Sequence, residues 1–138
     1  DLWPSEKPSR KNPADGHPIP VWRLGIIPVL DGFTLAGNSK HSLDVRMTEI
    51  GWCYRLASIS VTFDSDIYIT ISDNASGRII VKNAPVIAFV GGEGGKQFAN
   101  YTFQFGERQS LNFTFENVGG RSIVADCCMI GRYYRGSL

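Results

Sequence analysis

The residues of this chain whose types and spacing suit chemistry are few, and each has a specific chemistry to answer for. Asp64, Asp66 and Asp73 are clustered carboxylates of the kind that hard cations such as calcium take as ligands. Their spacing matches no calcium loop, and Asp is common in hairpin turns for local reasons; if a metal bound, Asp64 and Asp66 would be its first ligands. Gly91-Gly92-Glu93-Gly94-Gly95-Lys96 invites comparison with a phosphate loop. That chemistry needs Gly-Lys followed by Ser or Thr and then a helix whose amino end faces the phosphate, whereas Lys96 is followed by Gln97 and an aromatic, strand-like run. The expectation is a flexible loop. His17 and His41 sit in turn-like or arm-like sequence, and no Cys or His pair has zinc spacing. Ser, His and Asp all occur, but no Gly-x-Ser-x-Gly elbow marks one serine as a nucleophile. The sequence is therefore read as non-enzymatic, with no catalytic, cofactor or metal residue assigned.

Three further groups need placing. Cys53, Cys127 and Cys128 make an odd count, which is no disulfide framework. They are read as small apolar residues of a core or interface, with a pairing of Cys53 to one of the others left open. Asn74, Asn100 and Asn112 begin Asn-x-Ser/Thr sequons, which strand and turn composition also produces by chance. Trp22, Trp52, Tyr54 and Tyr68 are aromatics on which a sugar ring stacks if their faces are exposed; the alternation of the chain sends some of them to a core instead.

The elements that must position these residues are strands. From Ala57 to Phe63 apolar residues alternate with Ser58, Ser60 and Thr62, and after Asp64-Ser65-Asp66 the alternation resumes with Ile67, Ile69 and Ile71 against Tyr68, Thr70 and Ser72. Period two in β-branched and aromatic residues, broken by a short Asp/Ser turn, specifies antiparallel strands with one buried face. Val21–Leu30 is apolar on both faces and contains Pro28, which cannot donate to a ladder and so belongs at an edge or a bulge. Asp31-Gly32 then supplies a turn before a short strand over 33–36. Ser42–Ile50 fits a strand or a helix, and its neighbours favour the strand. Val86–Val90 reads as a buried strand. Phe98, Tyr101, Phe103 and Phe105 mark an aromatic strand, Leu111, Phe113 and Phe115 another, and Ser122–Tyr134 a long closing one. About eight strands at intervals of roughly 8–12 residues predict an all-β, antiparallel, jelly-roll-like sandwich.

Residues 1–20 stand apart. They hold five of the chain's seven prolines, and with only Leu2 and Trp3 as apolar anchors they cannot fold alone. They are read as an extended arm preceding a single domain over residues 21–138. The arm is either a disordered tail or a segment laid over a neighbouring subunit, with Leu2, Trp3, Pro4, Pro8, Pro18 and Pro20 as contacts.

A formal net charge of +1 over 138 residues offers no electrostatic case for nucleic acid or an anionic membrane, and no apolar run reaches the ~20 residues that span a bilayer.

Ser76-Gly77-Arg78 followed by Ile-Ile-Val, the glycine loop, Leu111-x-Phe-x-Phe-x-Asn117, a turn and a long strand ending Gly131-x-Tyr-Tyr together resemble the small β-sandwich structural proteins of tailed bacteriophage virions. The resemblance covers roughly residues 50–135 as a pattern and carries no functional residue over. It implies a capsid decoration, cement, neck or tail subunit: a homo-oligomer in a virion whose partners are copies of itself or other structural proteins. The alternative is a secreted or cell-surface sandwich that binds carbohydrate or a receptor through its aromatics and glycine loop.

Overall fold

The computed structural model describes residues 10–11, 18–19, 22–47, 51–88, 90–91, 96–106 and 109–135. The strands are β1 (Arg10–Lys11), β2 (Pro18–Ile19), β3 (Trp22–Leu35), β4 (Ser39–Arg46), β5 (Trp52–Thr62), β6 (Ile67–Asp73), β7 (Ile79–Pro85), β8 (Val90–Gly91), β9 (Lys96–Gly106), β10 (Ser110–Asn117) and β11 (Ile123–Arg135). One sheet runs β3-β11-β5-β9-β8 and the other β4-β10-β6-β7, all pairs antiparallel. Leaving aside the two-residue β8, the eight long strands pair in nested fashion. The first pairs with the last (β3·β11), the second with the second-last (β4·β10), the third with the third-last (β5·β9), and β6 with β7. Rolling such a ribbon so that β11 also meets β5 and β10 meets β6 gives a jelly roll, as the strand spacing leads one to expect.

Alternation decides which face each residue serves. Ile67, Ile69 and Ile71 of β6 and Leu111, Phe113 and Phe115 of β10 are fully buried, as are Leu56, Ile59 and Val61 of β5 and Ala125 and Met129 of β11. These inner faces interdigitate into one core. Side chains from the two inner faces fill a layer of about 10 Å between the sheets. Tyr54 is the largest side chain sealed inside. Its hydroxyl donates to the Gly25 carbonyl oxygen at 2.9 Å, and room for its ring exists because residues 25 and 131 lack side chains. A Cβ at Gly25 would sit 2.7 Å from the Tyr54 and Tyr133 rings, and one at Gly131 would collide with the Arg55 carbonyl oxygen.

Three expectations need correction. Asp31-Gly32 is not a turn between strands. Trp22–Leu35 is one strand, and the extra residues bulge where its register against β11 shifts between Ala125 and Cys128. Gly32 takes the left-handed φ of 60° the bulge requires, and its N–H donates to Asp126 Oδ1 at 2.7 Å. Pro28 fits the expectation, lying on the edge strand at that irregularity. Second, Val86–Ala88 is a 3₁₀ turn with only Val86 buried, because Pro85 ends the ladder just before it. Third, the alternation through Ala57–Phe63 slips at both ends. The register shift opposite Gly131 places Ala57 in a bulge, and Phe63, beyond the strand, is half exposed. The cysteines are as expected: all three are free, with Cys53 and Cys127 buried. Cys53 pairs across from Tyr134 while Cys127 pairs across from Val61, eight residues along β5 and so about 26 Å away, so the pairing with Cys53 is ruled out.

Ser42–Ile50 resolves as a strand through Arg46. Arg10–Lys11 and Pro18–Ile19 pair with each other; Leu2, Trp3, Pro4, Pro8 and Pro20 lie outside the described residues, and Pro18 falls in β2.

Candidate functional site

The outward face of the four-stranded sheet divides into two halves. On one half a closed hydrogen-bond network crosses the strands. The Ser42 and Thr114 hydroxyls are 2.7 Å apart, Thr114 donates to Asn112 Oδ1 at 3.1 Å, and Asn112 Nδ2 donates to Asp44 Oδ1 at 2.9 Å. Asn74 Nδ2 donates to the same Asp44 oxygen at 3.1 Å and to Ser110 Oγ at 2.8 Å. Donation from Asn112, then from Asn74, holds the Asp44 carboxyl below the usual carboxylate range. The sequon residues Asn74 and Asn112 thus have their side-chain amides committed to strand-to-strand contacts.

The other half is built around Tyr68. Register sets the row Lys40, Glu116, Tyr68, Pro85 across β4, β10, β6 and β7. The next row is Ser42, Thr114, Thr70, after which β7 bulges. Ile69 pairs with Ala84 and Ile71 with Val81, so Lys82 and Asn83 together face Thr70. Asn83 takes a left-handed φ of 44°, uncommon for a residue with a side chain, and its N–H donates to Thr70 Oγ1 at 2.9 Å. The bulge raises the rim of a concavity of about 280 Å³ lined by Lys40, Tyr68, Thr70, Ile79, Lys82, Asn83, Thr114 and Glu116. Among the described residues, no hydrogen bond or ion pair engages the side chains of Lys40, Tyr68, Lys82, Asn83 or Glu116.

The five-stranded sheet shows a different outward face. Trp22, Leu24, Ile26 and Pro28 of β3 stand beside Tyr134, Arg132, Ile130 and Cys128 of β11. The Arg132 guanidinium lies 4.5 Å over the Trp22 ring, while Leu24 and Ile26 are 61% and 59% exposed. Among the described residues the far edge of β3 is unpaired. Where β3 and β5 begin and β11 ends, Arg23 stacks 4.4 Å from the Tyr133 ring and 5.1 Å from Trp52, and Arg135 caps Trp52 at 5.3 Å.

The aromatics proposed to stack sugars therefore separate. Tyr54 is sealed in the core, Trp22 and Trp52 are half-buried under arginines, and Tyr68 stands on a solvent face beside polar groups. The three carboxylates do not converge. Asp64 and Asp66 lie before β6 and Asp73 ends it. Asp64 Oδ2 pairs with Arg121 Nη2 at 2.6 Å and its Oδ1 accepts from the Asp66 N–H at 2.9 Å. Asp73 accepts from the Ala75 N–H and the Ser76 hydroxyl. Each serves its own turn. Lys96 opens strand β9, so no helix follows it as a phosphate loop requires; residues 92–95 lie outside the described residues. His41 is half-buried and stacks on Phe33 at 4.1 Å, closing the seam between the two sheets; His17 lies outside the described residues.

Sequence reasoning missed the arginine stacks, the network around Asp44 and the groups around Tyr68, since all are cross-strand relations. The polar positions of β4 and β10 were the available signal, but register alone says which of them meet. Fold and faces together define a jelly-roll β-sandwich with one polar and one partly apolar outer face. No protein-family model, curated protein or solved structure matches the chain.

Proposed function

We propose that this chain is a non-enzymatic assembly subunit that associates with copies of itself, and that its place is in a virion as a capsid decoration, cement, neck or tail component. The carrying observation is the first half of β3. Natural edge strands are blunted by proline, bulges or charge. In β3 the proline and the bulges, Pro28 and the irregularity beyond it, lie in the second half, whereas Trp22–Ile27 is regular, has its one charge, Arg23, stacked on Tyr133 and Trp52, and exposes Leu24 and Ile26. Two copies meeting there about a two-fold axis extend the sheet through main-chain hydrogen bonds and bring Leu24 and Ile26 of each into contact. Six residues of edge fall short of the roughly 1,200–2,000 Å² of a stable interface. The remaining area comes from loops and from residues 1–20, a clasping segment that adds avidity through effective concentration. The virion assignment draws its support from the jelly-roll architecture and from the pattern-level resemblance over residues 50–135.

Light scattering of the full chain, of the double variant L24D/I26D and of a chain lacking residues 1–20 tests this. The full chain is expected as an oligomer. The double variant should weaken association at least roughly a hundredfold, as loss of two apolar contacts per copy implies, with an unchanged far-ultraviolet spectrum. Removal of the arm should weaken it too. A full chain that stays monomeric across micromolar concentrations, or an oligomer indifferent to both changes, overturns the reading.

A further inference from the structure

We propose that the Tyr68 concavity on the outer face of the four-stranded sheet binds a hexopyranose sugar, an activity beyond self-assembly and independent of it. The contrast between the two halves of that face carries the proposal. Around Asp44 every polar head group is spent on a neighbour. Around Tyr68 an aromatic ring is surrounded by two ammonium groups, a carboxylate and an amide that, among the described residues, have no partner. Lys40 and Glu116 are direct cross-strand neighbours, yet no ion pair forms between them.

That set of groups has the chemistry of a sugar site. The apolar C–H face of a pyranose stacks on a tyrosine ring, while its rim of hydroxyls needs acceptors and donors set around the ring's edge. Glu116 accepts from two adjacent hydroxyls, Lys40 and Lys82 donate to ring and hydroxyl oxygens, and Asn83 does both. At about 280 Å³ the hollow is below the ~300–1,000 Å³ typical of pockets for drug-sized ligands, a size for one or two rings. The β7 bulge supplies the wall. Asn83 is held in its left-handed conformation by its N–H bond to Thr70 Oγ1, and bulges recur where a strand re-aims side chains toward a ligand.

Saturation-transfer NMR on the full chain, with methyl β-galactopyranoside, methyl α-mannopyranoside and methyl β-glucopyranoside as probes at millimolar concentration, tests the site. At least one should show transfer, strongest at the protons of the stacked face. Y68A and, separately, E116Q should each weaken it roughly tenfold or more, while Y68F retains it and S42A, in the closed network, leaves it unchanged. Thermal melts establish that each variant is folded; should Y68A unfold, E116Q alone decides. Absence of transfer from all three probes, or transfer indifferent to the Tyr68 and Glu116 changes, overturns the proposal. Because the readout does not depend on oligomer mass, its failure is distinct from failure of the assembly reading.

Discussion

At the scale of single residues, Asn117 and Tyr54 show how polar groups are made compatible with a sealed interior. Asn117 is fully buried, yet its Nδ2 donates to the Leu35 and Arg121 carbonyl oxygens at 3.1 and 2.8 Å, and its Oδ1 accepts from the Gly119 N–H at 3.0 Å. It thus ties the ends of β3 and β10 to the turn before β11. Asn117→Ala leaves two carbonyls, that of Leu35 buried, and one N–H without that partner and should cost about 3 kcal/mol, measurable as a lowered urea midpoint. Tyr54 and Tyr134 answer to alkali. Burial raises both, pushing Tyr134 up to about 12 and Tyr54 higher still. A group whose folded pKa is raised contributes stability that is complete below its unfolded value near 10 and lost as pH rises through the folded one. Tyrosinate absorbance should therefore show these two ionising late, together with unfolding above about pH 11, rather than with exposed phenols near 10. The thiols obey the same logic of access. Cys53 and Cys127 are buried and Cys128 is half-buried, so a thiol reagent should label Cys128 first and the other two only when urea is added.

At the scale of elements, a jelly roll's edges are its weak points. Where β3 leaves a regular edge in one sheet, β7, one of the two edges of the other sheet, is protected by its own bulge at Lys82–Asn83 and by Pro85 at its end, devices that deter strand addition. β11 is the opposite case. It lies between β3 and β5 and supplies Ala125, Cys127 and Met129 to the core, although it is the last strand. Deleting residues 123–138 should abolish cooperative folding, seen as loss of the thermal transition. A single core truncation such as Phe113→Ala should cost about 3–5 kcal/mol and leave the topology intact.

At the scale of the whole molecule, nested pairing means that the contacts closing the roll join segments far apart in sequence: Leu35 meets Ile123, and Trp22 meets Tyr134. Loop closure has to precede those rewards, so folding should be slow for the chain's size, on the millisecond-to-second scale of non-local β proteins. Stopped-flow tryptophan fluorescence of L24D/I26D, which removes assembly from the kinetics, measures it.

The architecture was legible because period-two alternation is a local property: Ile67, Ile69 and Ile71 declare their buried face whatever they pack against, and turn residues such as Asp64–Asp66 and Asn117–Gly120 act on their own backbone. Pro28 likewise announced an edge, since a missing N–H is a fact of the residue. The site was not legible. Whether Tyr54 or Tyr68 faces water, whether Asp64 meets Arg121 or a cation, and whether Lys40 and Glu116 stand beside Tyr68 depend on which strand becomes whose neighbour. So does the reading of Asp31-Gly32, a turn by composition and a bulge once β11 lies alongside. The sequence by itself determined pleat and polarity, which follow from side-chain chemistry every second residue. Only the tertiary structure decided adjacency, because register between strands is settled by the whole core closing at once.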